Sequence, residues 1–415
     1  MKKNSYIFSL SIIGVLYFVF GFITWLNNQL IPFLKTACQL SDTQAYLVTF
    51  AFYISYFVMA LPSASILRRT GFAKGMSLGL LVMALGCLTF IPAALERNYV
   101  VFLLGLFVQG TGLALLQTAA NPYVTVLGPI ESATRRMCIM GLFNKIAGII
   151  GIYIFSKALL SNFDLITSNI SIASGSEQNA LLSELSHRII LPYIIMALGL
   201  VLIALMVYLA KLPDINSTQE NEDRELNKQT LPAYLWLGVL ALFFYEGAEV
   251  MAIDTLVPFS KSIGLPDNIY SKIGMFALAA LLLGYISTIV LIPKYISQRK
   301  ALIYCSMLSL VFVSISLCSH GVTSLIFLIL LSFSNAVMWG AIWALAIDGL
   351  GKNTSFASAL LIMAIVGGAL IPLLYGALSD MLNNRQIPYL IFLPCYLFIV
   401  YYAVRGYKIG KKNNK

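Results

Sequence analysis

"LPDINSTQENEDRELNKQT", Leu212 to Thr230, is the one long polar run on the predicted cytoplasmic side of a chain of 415 residues, and its position decides the fold. A hydrocarbon core about 30 Å thick takes roughly 20 residues of apolar helix. Upstream of the run, spans are predicted at 7–34, 44–67, 73–95, 99–127, 137–160 and 189–211. Downstream they are predicted at 232–259, 270–293, 299–318, 323–349, 355–379 and 386–406. The run therefore reads as a cytoplasmic linker, 213–231, between a six-helix half at 1–212 and another at 232–415. The fold class that follows is an all-α membrane protein of twelve transmembrane helices.

Composition agrees with lipid as the solvent. The chain is 59% hydrophobic and 11% charged, against roughly 25% charged for a soluble domain. The net charge of +10 is explained by where it falls. With a cytoplasmic N-terminus, 19 of the 27 Lys and Arg lie in inner segments, among them Arg68, Arg69, Arg135, Arg136, Lys294 and Arg299. That is the positive-inside distribution, and it argues against nucleic acid as a partner while placing both termini in the cytoplasm. The first apolar run extends past Leu34 without a small-residue cleavage site, so it reads as a retained helix. Six scattered cysteines and two histidines in outer loops have no ligand spacing, so no metal site and no disulfide framework follow.

The two halves echo each other. "NKIAGIIGIYIF" from Asn144 and "AIVGGALIPLLYG" from Ala364 carry small-residue pairs, Ala147-Gly148 and Gly367-Gly368, offset by 220 residues. The basic loops "RRTGFAKG" (68–75) and "PKYISQRK" (293–300) follow the second span of each half. A pseudo-symmetric six-plus-six duplication places substrate at the midplane between halves, as in major facilitator transporters.

Polar groups within spans are costly and mark candidate sites. The first span holds Asn27, Asn28 and Gln29; successive helical positions turn by about 100°, so at most two can face one cavity. The fourth holds Gln117 and Asn121, one turn apart, and the fifth holds Asn144 and Lys145. The seventh reads "LFFYEGAEVMAIDTLVP", with Glu246, Glu249 and Asp254, and the tenth adds Asn335, Trp339 and Trp343. Amides bond hydroxyls in pairs and indole faces stack on the apolar side of a pyranose, whereas an anion would call for an arginine within a span. The candidates for binding a small neutral sugar are therefore Asn27, Asn28, Gln29, Gln117, Asn121, Asn144, Asn335, Trp339 and Trp343. Each has a plainer reading, since amides in spans also join helices and tryptophan also anchors at interfaces. The third, sixth, ninth and twelfth spans are nearly free of such groups, which suits an outer, lipid-facing ring.

The stretches "LQTAANPYVTVLGP" (116–129), "LPSASILRRTGFAKG" (61–75), "FNKIAG" (143–148), "AIDGLGK" (346–352) and "MAIVGGALIPLLYG" (363–376) resemble the fucose, galactose and glucose proton symporter family of the major facilitator superfamily, and its glucose/galactose branch most. The resemblance runs from about Tyr17 to Asp380. It implies a bacterial inner-membrane transporter, working as a monomer by alternating access, with no cofactor and with a proton or sodium ion as coupling partner. In that family an acid usually stands where this chain has Asn28, and the fucose branch has a glutamate at Gln117. Three readings stay open: coupling moved to Glu249, which matches a family position, with Glu246, Asp254 and Lys145; sodium in place of the proton; or an uncoupled facilitator. Other neutral sugars, such as fucose or N-acetylglucosamine, and a non-transporting sugar sensor are the alternatives to glucose and galactose. No nucleophile and base pair at a common depth, so an enzyme is not expected.

Overall fold

The computed structural model describes residues 3–40, 42–159, 163–210, 231–266, 269 and 273–411, and every regular element among them is helical. Eleven stretches are long and apolar enough to cross a membrane. One of them, Phe50–Leu95, has 46 residues, about 69 Å of helix at 1.5 Å per residue, and serves two crossings. Twelve crossings result, as the hydropathy predicts. The long element, α2 (Asp42–Leu95), breaks at Gly71, whose φ of 75° and ψ of 169° only glycine adopts readily. The boundary predicted at 213–231 lies outside the described residues except for residue 231.

The chain forms two compact units, Met1–Ala120 with Phe143–Asp214, and Asn121–Leu142 with Ile215–Lys415. The first holds α1 (Lys3–Ala37), α2, most of α3 (Tyr99–Val126) and most of α4 (Ala133–Leu159), with α5 (Phe163–Ile172), α6 (Gly175–His187) and α7 (Ile190–Leu209). Gly79 of α2 and Gly112 of α3 lie back to back, so that a Cβ on either would strike the other's carbonyl. Close backbone approach of this kind replaces the hydrophobic drive that helices lack in lipid. Ser77 Oγ donates to the Ala204 carbonyl at 2.8 Å, and Phe90 stacks on Tyr193 at 4.1 Å, which fixes α7 against α2. The opposite face of α7 exposes Leu191, Ile195, Leu198, Leu202, Leu205 and Leu209. Their spacing of three and four draws one apolar stripe, a lipid face on the span predicted to be wholly apolar. Helices α5 and α6 stand where the sequence predicts only a loop; α6 buries Leu182 and Leu185 and meets Arg97, whose Nη1 donates to Asn179 Oδ1 at 3.3 Å.

The second unit holds α8 (Ala233–Asp254), α9 (Leu256–Ser262), α10 (Ile273–Leu291), α11 (Gln298–Cys318), α12 (Gly321–Asn335), α13 (Met338–Ile347), α14 (Thr354–Met363), α15 (Gly367–Leu382) and α16 (Phe392–Val404). Helices α11 and α12 are joined by hydroxyl pairs, Ser309 with Ser334 at 2.7 Å and Ser316 with Ser324 at 2.8 Å. Two crossings carry an irregular turn within their length. The tenth is interrupted at Ala336 and Val337, where the freed Ala336 carbonyl takes a hydrogen bond from Cys138 Sγ at 3.7 Å. The eleventh passes through a 3-10 turn, Ala364–Val366, ahead of Pro372, which has no N–H to return to the preceding turn. Irregular turns free backbone groups for use in a protein interior where lipid supplies none.

Candidate functional site

In the first unit, α1 and α4 touch through glycines. Gly21 lies on the backbone of Asn144, and Gly148 lies on the Trp25 indole. This contact holds the Lys145 ammonium 4.7 Å from the Trp25 ring centroid, with Lys145 only 9% exposed. The indole face carries negative potential, worth about 2 kcal/mol to a desolvated cation, so a charge that lipid would reject gains a partner. Asn144, one residue earlier, is half-buried. Gln117 Nε2 donates to Tyr56 Oη at 3.2 Å. One turn on, where α3 passes into the second unit, Asn121 is buried and its carbonyl accepts from Thr125 Oγ1 at 3.0 Å. The backbone of α1 carries Asn27, Asn28 and Gln29, whose side chains lie outside the described residues.

The second unit contains a tighter constellation. On α8 the Tyr245 hydroxyl donates to the Glu249 carboxylate, and both residues are buried. Trp339 and Trp343 of α13 stack at 5.6 Å with 27° between planes, and the Tyr245 ring stands 6.3 Å from Trp339. Trp343 is fully buried while Trp339 is partly open. At the irregular turn before α13, Asn335 Oδ1 accepts from Tyr396 Oη at 2.9 Å. Two buried donors here, Asn335 Nδ2 and Trp343 Nε1, have no hydrogen-bond acceptor among the described residues. An unmet buried donor costs about 1–3 kcal/mol, which a ligand oxygen or a water would recover. Glu246 is half-buried, its stem beside Gly368 at the start of α15. Asp254 is exposed on the last turn of α8. The three acids thus stand in three environments, and Glu249 is the buried one, bonded to Tyr245 in the aromatic cluster.

Sequence reasoning misses three of these partners. Tyr245 has a visible signal, an aromatic hydroxyl one turn before an acid, whereas Tyr396 is brought to Asn335 only by tertiary packing. The third is Arg136, 3% exposed. Its guanidinium donates to the carbonyls of Val124 at 2.8 Å, Thr125 at 2.6 Å, Gly128 at 3.2 Å and Pro129 at 3.0 Å, and to Ser132 Oγ at 2.6 Å. It closes the end of α3, whose last carbonyls have no helical partners. Among the described residues no three His, Cys, Asp or Glu side chains gather as a metal site. Outside the spans, burial pushes the Cys38 thiol up to about 11, with the Arg97 guanidinium working against it.

The sequence model of the Major Facilitator Superfamily matches residues 13–372. The glucose/galactose transporter of Brucella abortus biovar 1 is 33% identical over 98% of this chain and 96% of its own. The L-fucose-proton symporter of Escherichia coli K12 is 29% identical over 97% of this chain and 94% of its own. Among solved structures, the major facilitator transporter FucP in its outward conformation matches with a TM-score of 0.85 and 28% identity, over 96% of this chain and 98% of that one.

Proposed function

The chain belongs to the Major Facilitator Superfamily, and on that premise we propose that it carries a neutral hexose, glucose or galactose, into a bacterial cell by cation-coupled alternating access. The observation that carries the reading is the pair of unmet buried donors, Asn335 Nδ2 and Trp343 Nε1, beside the stacked indoles of Trp339 and Trp343. Hydroxyl oxygens satisfy such donors and a pyranose face covers such a ring. The names of the Brucella and Escherichia relatives support the same class of substrate.

In this reading Gln117, Asn121 and Asn144, with Asn27, Asn28 and Gln29, supply further amides for sugar hydroxyls. Glu249 is the coupling acid, because its environment can hold or release a cation: a proton on the carboxylate, or sodium on its oxygens. Tyr245 donates to a charged carboxylate more strongly than to a neutral carboxyl, so loading and unloading of Glu249 changes the strength of a bond made by the ring that stands 6.3 Å from Trp339. Glu246, Asp254 and the Trp25-bound Lys145 are secondary candidates for the coupling. The inner membrane as location, both termini in the cytoplasm, and action as a monomer without cofactor belong to the same proposal, supported by the charge distribution and by bacterial relatives.

Uptake of labelled glucose and galactose into proteoliposomes tests it, with an imposed pH gradient, a sodium gradient, and neither. Accumulation above equilibrium under one gradient identifies the cation. Equilibration alone makes the chain a facilitator, and no flux of either sugar overturns the substrate.

A further inference from the structure

Helices α13 and α14 form a hairpin, Met338–Met363, bounded by the two irregular turns. Its tip is loosely built. Asp348 ends α13 in an extended conformation, ψ 122°, and the chain turns through Gly349 (φ 79°) and Gly351 (φ 49°). Neither glycine has an atom within 4 Å of where a Cβ would stand. A recess of about 280 Å³ borders the tip, lined by Thr125, Gly128, Asp348, Gly349, Gly351 and Thr354. The hairpin therefore has an irregular but still right-handed turn at each root and space beside its end.

One side of that end is held. Lys411 Nζ contacts Asp348 Oδ2 at 2.6 Å, and Tyr234 Oη donates to the Asp348 carbonyl at 2.7 Å. The segment carrying Lys411 is itself fixed. The Ile409 carbonyl accepts from the Tyr234 amide at 2.8 Å. The Arg299 guanidinium lies 4.6 Å over the Tyr407 ring, and Arg299 Nε donates to the Ala403 carbonyl at 3.0 Å. Lys411 also sits 5.2 Å from the Tyr234 ring centroid. The anchored base presents the Lys411 ammonium to Asp348 at the tip.

We propose that the segment Gly406–Lys411 is a clasp that holds the α13–α14 hairpin in one position through the Lys411–Asp348 ion pair, and whose opening frees the hairpin to pivot at residues 336–337 and 364–366. The hairpin carries Trp339 and Trp343 near one root, so the clasp regulates the site described above; that consequence rests on the transport reading, while the clasp itself does not. The pair is partly open to water, with side-chain exposures of 28% and 43%, which makes it weak enough to open in each cycle and sensitive to salt.

The test is hydrogen–deuterium exchange of the full chain in nanodiscs, without sugar. Lys411→Ala and Asp348→Asn should each speed exchange in peptides covering 348–354 by roughly two- to fivefold, the range of an exposed ion pair. The double variant should add nothing to either single variant, Lys411→Arg should restore the slow rate, and Lys408→Ala should leave it unchanged. Unchanged exchange at 348–354 in both single variants overturns the clasp. So does faster exchange spread evenly over α8–α16, which would make the pair a general prop. Because no sugar is present, failure here is separate from failure of the transport assay.

Discussion

The Lys145 ammonium lies over the face of Trp25, 4.7 Å from its centroid, and the glycine three residues along α4, Gly148, is what allows the indole to be there. Replacing Gly148 with alanine drives a methyl into the ring. Overpacking of this kind costs about 1–3 kcal/mol, so Gly148→Ala should lower the unfolding temperature in detergent. Gly199→Ala on α7, where nothing lies within 4 Å, should raise it slightly, by the roughly 0.5–1 kcal/mol of helix preference.

The two stacked tryptophans should separate stability from binding. Trp343 is fully buried, and Trp343→Ala should destabilise the protein by about 3–5 kcal/mol, seen as a large fall in melting temperature. Trp339 is partly open, so Trp339→Ala should leave melting nearly unchanged while raising the half-saturating sugar concentration roughly tenfold, a loss of about 1.4 kcal/mol. Equal effects from both variants on both measurements would argue against a sugar face at Trp339.

Glu249→Gln keeps an acceptor for Tyr245 but removes the charge. Gradient-driven accumulation of sugar should be lost, while exchange of labelled for unlabelled sugar across the membrane continues. Tyr245→Phe should weaken accumulation without abolishing it, since a hydrogen bond to a charged group is worth about 1.5–3 kcal/mol. Wild-type accumulation in Glu249→Gln would move coupling elsewhere, with Glu246 the next variant to make.

Cys38 supplies a pH test in the first unit. Burial disfavours its thiolate and lifts the thiol to about 11. At neutral pH it should therefore hold on the order of a hundredfold less thiolate than an unburied thiol. In a variant retaining only this cysteine, the rate of maleimide labelling should keep rising through pH 9 and 10. A plateau near pH 9 would mean that the loop opens.

The twelve crossings are legible because hydropathy is a local property: each span declares itself within about 20 residues. The same holds for Lys145, whose charge inside an apolar run requires a partner whatever the fold. What hydropathy cannot show is where a span turns irregular. The tenth crossing does so at Ala336 and Val337 with neither glycine nor proline there, and its freed carbonyl is met by Cys138, 198 residues away in sequence. Asp348 and Lys411 are similarly 63 residues apart. The outer helices α5 and α6 escape notice because α6 is largely polar, with Leu182 and Leu185 as its buried leucines.

Arg136 has a consequence for biogenesis. The carbonyls at the end of the fourth crossing are closed by a side chain that the ribosome adds only after that crossing is complete. Until the opening turn of the fifth crossing is made, those carbonyls depend on water for their hydrogen bonds. A chain cut before Arg136 should therefore hold its fourth crossing less firmly than one cut after it, a difference that protease protection of nascent chains of the two lengths reads.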